Sequence, residues 1–292
     1  MAKRSVLDAD LRDKRVLVRV DFNVPLDGED VSDDTRIRAA LPTIQLLLRR
    51  GAAVILASHL GRPKGKPDPK YSMGPVAAHL ATLIENDVLT ASDVIGTSAQ
   101  EAARTLQPGQ VLVLENTRFE PGEEKNDPEL ARSLAALADI YVNDAFGAAH
   151  RAHASTVGVA EHLPSYAGLL LLQEVEVLSR LLQEPERPFV AILGGAKVSD
   201  KLAVISHMLT RVDTLLLGGG MANTLLLAQG NEIGQSLAEP DLVGQAADLL
   251  AQARERGVDI VVPGDVVVAE SIDSTDAAVV PSDRVPSGEA IF

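Results

Sequence analysis

Apolar runs of three to five residues alternate with longer stretches of helical periodicity in the first half of the chain. The runs cover residues 16–20, 54–57, 111–114 and 140–142. Their length and their content of branched side chains predict buried β-strands. Helices are expected between them over residues 42–51, with Pro42 at the first helical position and Gly51 at the end, and over residues 74–89 and 127–138.

The alternation restarts after Pro188. Strands are predicted over residues 189–193, 214–217, 259–262 and 266–268, with helices ending near Leu209, Ala228 and Arg256. Residues 169–182 form one long apolar-rich helical pattern between the two blocks. The sequence therefore predicts an α/β protein with two Rossmann-like domains, whose parallel sheets are covered by helices and joined by a connecting helix across a cleft. The expected divisions are residues 1–168, 169–187 and 188–292.

Composition narrows the class of protein. The 292 residues are 46% hydrophobic but only 3% aromatic, without Trp, so the core must be aliphatic. A net charge of -14 argues against binding to nucleic acid or to an anionic membrane, although it permits a local anion site. The absence of Cys excludes disulfides and thiolate chemistry and fits a cytoplasmic protein. Neither a secretory leader nor a run long enough to span a bilayer is expected.

Polar and cationic residues follow each strand of the first block. They are Asp21, Asn23, His59, Arg62, Arg118 and Arg151, and Arg36 lies between the first two strands. Loops that leave the carboxyl ends of parallel strands meet at one edge of the sheet, where such folds bind ligands. Guanidinium groups match phosphate and carboxylate oxygens in pairs, so this set predicts a site for a small polyanion.

Simpler interpretations exist for each of these residues taken alone. One Arg is more often a surface residue in a weak ion pair, and it is the group of four that favours a site. Asp21 and Asn23 fit an ordinary Asx turn equally well. His153 is expected to be structural, and no His pair has the spacing of a zinc site.

Two glycine clusters follow strands of the second block. The first is Gly194, Gly195 and Ala196 with Lys197 and Lys201, and the second is residues 218–220. The two lysines are four residues apart and could share one face of a helix start. The pattern is neither a P-loop nor a dinucleotide fingerprint, because residue 223 is Asn rather than Gly. Each cluster alone could be a tight turn, but together they suggest a site for nucleotide phosphates.

These segments resemble the phosphoglycerate kinase family. The matching stretches are residues 19–25 (RVDFNVP), 36–42, 58–63 (SHLGRP), 114–119 (LENTRF), 143–154, 194–201 (GGAKVSDK) and 218–222. They are ordered and spread over nearly the whole chain. The resemblance implies a monomeric glycolytic enzyme that transfers a phosphoryl group in line, in a closed cleft, between 1,3-bisphosphoglycerate and ADP, giving 3-phosphoglycerate and ATP.

The resemblance also implies roles for individual residues. The N-terminal domain would hold 3-phosphoglycerate through Asp21, Asn23, Arg36, His59, Leu60, Gly61, Arg62, Arg118 and Arg151. The second domain would hold the nucleotide through Gly194, Gly195, Ala196, Lys197, Lys201, Gly219 and Gly220. Arg36 and Lys201 would be catalytic, with Arg36 neutralising the transferring group. Mg²⁺ would arrive with ATP or ADP and have no ligand of its own in the chain.

The chain also departs from the family pattern. It lacks the segments resembling WNGPMG and a later GGGD turn, which in the family carry nucleotide contacts and a Mg²⁺-linked Asp. We therefore expect an incomplete second domain and a chain that alone retains binding better than catalysis. Two alternatives stay open: a protein that binds phosphoglycerate without efficient catalysis, and a nicotinamide dehydrogenase, which the missing GxGxxG disfavours.

Overall fold

The computed structural model describes residues 4–292. It divides into two compact units, one ending at Arg180 and the other covering Leu181–Phe292. Both units combine helices with parallel strands, which confirms the predicted α/β class. Over the described part of the chain, no helix has both the length and the apolar character needed to cross a membrane.

The first unit contains eight strands. They are β1 (Arg15–Arg19), β2 (Leu26–Asp27), β3 (Asp30–Val31), β4 (Ala53–Ala57), β5 (Val88–Thr90), β6 (Val111–Val113), β7 (Ile140–Asn143) and β8 (Ser165–Ala167). Six of them form a parallel sheet in the order β5-β6-β4-β1-β7-β8, and β2 and β3 form a small antiparallel hairpin. Its helices are α1 (Thr35–Arg49), α2 (Gly74–Leu83), α3 (Thr97–Thr105), α4 (Pro128–Ala135) and most of α5 (Leu169–Gln183).

Helices cover both faces of this six-stranded sheet. Val16 and Val18 of β1 point to one face and pack with residues of α1 and α2, whereas Leu17 points to the other face and packs with α3 and α4. Ile55 of β4 lies on that second face and is fully buried. Strands buried on both sides need apolar residues at successive positions, which explains the unbroken runs in the sequence.

The predicted start of α1 and the predicted end of α2 are wrong. Helix α1 begins at Thr35 and contains Pro42 in its interior rather than at its first position. Ile37 and Ala40 extend its buried face towards the N-terminus, and this packing outweighs the hydrogen bond that proline cannot make. Helix α2 ends at Leu83, because Val88 pairs with Val111 in the parallel ladder of β5 and β6.

Other boundaries follow the sequence closely. Asp127 caps α4 as expected, because its carboxylate accepts hydrogen bonds from the backbone N–H groups of Glu129 and Leu130, both at 3.0 Å. Helix α5 occupies the segment that the apolar pattern predicted, and the division between the two units falls within it.

The second unit contains two separate three-stranded sheets. Strands β9 (Val190–Gly194), β10 (Thr214–Gly218) and β11 (Asp259–Val261) are parallel in the order β11-β10-β9, with helices α6 (Leu202–Met208), α7 (Gly220–Ala228) and α8 (Val243–Arg256). Strands β12 (Asp265–Ala269), β13 (Ala278–Pro281) and β14 (Ala290–Ile291) form an antiparallel sheet in the order β13-β12-β14. The sequence predicted a strand at residues 266–268 but not its antiparallel pairing.

The parallel sheet of the second unit is buried on one face only. Leu215 and Leu217 point into a core formed with α6, α7 and α8. On the opposite face Ile192 is 75% exposed, and Val190 and Val261 are each 45% exposed.

Candidate active site

The predicted anion-binding residues of the first unit begin at one edge of its sheet. Strands β6, β4, β1 and β7 are neighbours and run in parallel, with Arg19 of β1 paired to Ala57 on one side and Asn143 on the other. The loops after all four strands therefore start side by side at the carboxyl edge. In this class of fold, that edge is where ligands bind.

Asp21, Arg36 and His59 converge on one another. The Nη1 atom of Arg36 lies 2.8 Å from Oδ2 of Asp21, and Oδ1 of Asp21 lies 4.0 Å from Nδ1 of His59. Arg36 stands in the first turn of α1, and half of its side chain is exposed. Its guanidinium is thus held in place on one side while it remains accessible to a ligand on the other.

The loop at residues 59–62 is fixed by side chains from two other loops. Asn23 Oδ1 accepts a hydrogen bond of 2.8 Å from the Gly61 N–H, and Arg118 Nη1 donates one of 2.7 Å to the Gly61 carbonyl. Gly61 has φ +60°, and a Cβ there would lie 2.3 Å from the ring of Tyr71, so only glycine fits. Asn23, Leu60 and Gly61 line a cavity of about 560 Å³.

Arg118 and Arg151 add positive charge near His59. Arg118 is only 6% exposed, with its Nε atom 3.0 Å from Glu124 Oε1. Burial lowers the pKa of Arg118, the nearby carboxylate of Glu124 opposes that shift, and the charge of Arg151 adds to it. These groups repel one another, and a bound anion would relieve that repulsion.

His59 is buried among these cations. Its pKa falls to about 2, chiefly because burial disfavours the charged ring and further because Arg19 and Arg118 repel a positive charge. His59 is therefore neutral near pH 7, and the positive charge of the cluster comes from its arginines.

Arg62 and Arg151 are less firmly placed than the rest of the predicted set. Arg62 is exposed and makes no hydrogen bond or ion pair with any part of the chain that the structure describes. Arg151 is half-buried, and its Nε atom donates to His150 Nε2 at 3.2 Å. The geometry thus links Asp21 to Arg36 by an ion pair, and Asn23 and Arg118 to Gly61 by hydrogen bonds, with the neutral ring of His59 beside Asp21.

Asn116 and Glu123 have structural roles at this site that the sequence did not reveal. The buried side chain of Asn116 accepts hydrogen bonds from the N–H groups of Leu60 and Arg118 and donates to the carbonyls of Leu60 and Tyr71. The available signal for Asn116 was a polar residue two positions after the apolar run at residues 111–114. Glu123 is fully buried although its neighbours in the sequence are polar, so no local pattern marks it.

The glycine turns of the second unit touch through their backbones. The Met221 N–H donates to the Gly195 carbonyl at 3.0 Å. A Cβ on Gly220 would lie 2.4 Å from the Ala196 carbonyl oxygen, so this approach requires glycine. Gly219 and Gly220 also line a cavity of about 750 Å³.

The two predicted lysines do not share a helix face. Lys197 precedes a 3₁₀ turn (Ser199–Lys201), Lys201 ends it, and α6 begins only at Leu202. The expectation of a common helix start is therefore wrong. Both lysines are exposed, as are Gly194 and Gly195.

A further cavity in the first unit is unsuited to anions. It has a volume of about 390 Å³, and its ten lining residues include four acids, Asp68, Asp93, Glu115 and Glu120, and no Arg or Lys. Burial raises the pKa of Glu120, and the charge of Asp93 adds to the shift. An anionic substrate would be repelled here, so the arginine cluster is the better candidate.

Among the side chains that the structure describes, no group of three or more Asp, Glu or His residues is arranged to hold a metal ion.

Known proteins resemble this chain over nearly its whole length. The family model described as phosphoglycerate kinase matches residues 6–292. The chain is 58% identical over 290 residues to the phosphoglycerate kinase of Moorella thermoacetica, covering 99% of this chain and 74% of that protein. It is 57% identical over 292 residues to that of Roseiflexus castenholzii, with coverages of 99% and 74%.

A solved structure gives the same result for the fold. The structure of phosphoglycerate kinase from Coxiella burnetii matches with a TM-score of 0.85 at 41% identity, and the match covers 100% of this chain and 74% of that chain. Sequence and fold thus agree over almost every residue of the chain, which belongs to the phosphoglycerate kinase family.

Proposed function

We propose that this chain binds 3-phosphoglycerate at the arginine cluster of the first unit and ADP or ATP at the glycine turns of the second. The reaction is phosphoryl transfer between 1,3-bisphosphoglycerate and ADP, giving 3-phosphoglycerate and ATP. The observation that carries the proposal is the convergence of Asp21, Arg36, His59 and Arg118 at the carboxyl edge of one sheet. The proposal includes a monomer working in the cytoplasm.

The cluster suits a phosphorylated hydroxy acid. Arg36, Arg62, Arg118 and Arg151 offer donors for phosphate and carboxylate oxygens, and each charge-assisted hydrogen bond contributes about 1.5–3 kcal/mol. Asp21 can accept a hydrogen bond from a substrate hydroxyl. His59 and the backbone of Leu60 and Gly61 supply uncharged groups at the same site.

The glycine turns suit the phosphates of a nucleotide. Gly194, Gly195, Ala196, Gly219 and Gly220 allow close approach to backbone N–H groups, and the start of α7 adds the positive end of a helix dipole. Exposed Lys197 and Lys201 supply charge, and Lys201 is the proposed catalytic lysine. Mg²⁺ would come with the nucleotide and reduce the negative charge of its phosphates.

Phosphoryl transfer needs alignment and positive charge around the moving group more than it needs covalent help from the protein. In-line transfer also requires both substrates to be held together away from water. We assign Arg36 to the transferring group, because it is fixed by Asp21 yet half exposed.

Calorimetry and a coupled assay on the same 292 residues test the proposal. We expect this chain to bind 3-phosphoglycerate and Mg²⁺–ADP with turnover that is weak relative to binding. Measurable ATP-dependent turnover would support the enzyme, and full turnover would contradict the expectation of weakened catalysis. Binding of 3-phosphoglycerate without nucleotide binding or turnover would instead identify a phosphoglycerate-binding protein. Absence of 3-phosphoglycerate binding would refute the assignment of the first unit.

Arg36→Ala tests the catalytic assignment. A charge that acts mainly in the transition state should reduce kcat by roughly 10²–10³-fold when it is removed, with a smaller change in KM. Arg38→Ala is the matched control, because Arg38 lies on the same helix and pairs with Asp34 at 2.9 Å, away from the cluster. A rise in KM at unchanged kcat would reassign Arg36 to substrate binding alone.

A further inference from the structure

Arg19 is an arginine buried at the carboxyl end of the central strand β1. It is 1% exposed, and each arm of its guanidinium has a partner. Nε donates to Ser155 Oγ at 2.8 Å, Nη1 donates to the Val20 carbonyl, and Nη2 lies 3.1 Å from Nδ1 of His59.

The buried carboxylate of Glu123 holds Ser155, the partner of Arg19 Nε, in place. Ser155 donates its hydroxyl to Glu123 Oε1 at 2.5 Å and its backbone N–H to Oε2 at 3.0 Å. Glu123 is fully buried. Arg19 therefore cannot turn away from His59 without breaking a chain of buried hydrogen bonds that ends on a carboxylate.

The contact between Arg19 and His59 determines where the imidazole carries its proton. A guanidinium has five N–H donors and no acceptor, and it stays protonated in proteins. The ring atom facing Arg19 must accept, so Nδ1 of His59 carries no proton. A neutral ring then carries its single proton on Nε2.

The charges around the ring of His59 favour its neutral form. Arg19, Arg118, Arg151 and His153 all oppose a positive charge on His59. Asp21 is the carboxylate that would favour one, but its Oδ1 atom is 4.0 Å from Nδ1, beyond hydrogen-bond distance.

We propose that Arg19 is a positioning residue, which fixes His59 as a neutral imidazole protonated on Nε2 so that this N–H donates to an oxygen of the anionic substrate. His59 then orients a substrate oxygen through an uncharged hydrogen-bond donor, while the arginines supply the positive charge. The assignment of the N–H to a substrate rests on the proposed function, whereas the tautomer is a property of the protein alone.

Long-range ¹H–¹⁵N NMR of the histidine rings, without ligand, measures the tautomer directly. The signals of His59 are identified by their loss in His59→Asn. We expect the Nε2–H pattern, unchanged from pH 5.5 to 8. A ring protonated on Nδ1, or one that titrates within this range, overturns the proposal.

Variants test whether Arg19 is the cause. In Arg19→Met we expect a mixture of tautomers in a ring that burial still keeps neutral, and about tenfold weaker 3-phosphoglycerate binding. Arg15→Met is the matched control, because Arg15 lies on the same strand but pairs only with the half-exposed Asp139. His59 should be unaffected there.

A milder variant keeps the test usable if Arg19→Met does not fold. Ser155→Ala removes the partner of Arg19 Nε and keeps the guanidinium, and we expect the same changes at smaller size. Unchanged His59 signals in Arg19→Met, or in Ser155→Ala if Arg19→Met does not fold, contradict the role of Arg19. Failure of the wild-type protein to bind 3-phosphoglycerate with the Nε2–H pattern intact would count against the proposed substrate and leave the tautomer assignment standing.

Discussion

The two units of this chain build their candidate sites in different ways. In the first unit, helices cover both faces of the sheet, and buried side chains such as Arg19, Asn116 and Glu123 hold the strand-end loops. In the second unit, one face of the parallel sheet is exposed, and the two glycine turns contact each other through backbone atoms. The arginine cluster is therefore preorganised by side-chain hydrogen bonds, whereas the proposed nucleotide site depends on glycine and on exposed lysines.

The sharpest test of this contrast compares two buried asparagines. Asn116→Ala should lower the free energy of unfolding of the first unit by about 4 kcal/mol, because backbone groups of Leu60, Tyr71 and Arg118 lose their partners. Asn223→Ala removes a single hydrogen bond, to the Leu237 carbonyl at 3.0 Å, and should cost about 1 kcal/mol. Hydrogen exchange with mass spectrometry gives each unit's value separately. Equal costs would contradict the idea that side-chain hydrogen bonds stabilise the first site more than the second.

A second comparison concerns two isoleucines at strand centres. Ile55→Ala should cost about 3 kcal/mol, because this side chain is fully buried in β4. Ile192→Ala should cost less than about 0.5 kcal/mol, because its side chain is 75% exposed on β9. Denaturant unfolding followed by region-resolved exchange measures both. A large cost at Ile192 would break the contrast between the two sheets, since it would mean that this face is covered in solution.

The third test uses pH and the buried carboxyl of Asp144. Its Oδ1 atom accepts from the Leu170 and Leu171 N–H groups at the start of α5, whereas Oδ2 is buried without a partner in the described residues. Burial raises the pKa of Asp144 to about 6. The folded state thus holds a proton that the unfolded state has released, so this group costs stability as pH rises through 6.

Asp144→Asn removes that dependence. The unfolding free energy of the wild-type protein, minus that of Asp144→Asn, should fall by about 2 kcal/mol between pH 4.5 and pH 8. The subtraction cancels the opposite effect of His59, whose lowered pKa costs stability below pH 6.5 in both proteins. Urea unfolding at several pH values gives the difference. A constant difference would mean that Asp144 ionises like an exposed carboxyl.

Part of the fold followed directly from local sequence. Strands β1, β4, β6 and β7 and helix α5 lie where apolar runs predicted them, and Asp127 caps α4 as its identity suggested. The errors at Pro42 and at residues 84–89 have a common cause. In both places packing against distant residues outweighed the helix boundary that the local sequence favoured. Val88, for example, pairs with Val111 of β6 and does not extend α2.

The residues of the candidate site were likewise predicted only in part. The strand-end positions of Asp21, His59 and Arg118 could be read from the sequence, but their assigned roles in binding and catalysis stay predictions. Asn116 and Glu123 were missed, because a side chain that is polar and buried looks no different in sequence from one that is polar and exposed.

Residue type and spacing along the chain are enough to identify the family, the aliphatic strands and the polar residues at strand ends. The contacts of Arg19 with His59, 40 residues away, and with Ser155, 136 residues away, become known only from the three-dimensional arrangement. Such contacts depend on strand order and on burial at a shared edge. Local sequence encodes neither, so the protonation state of His59 could be inferred only once the fold had brought these groups together.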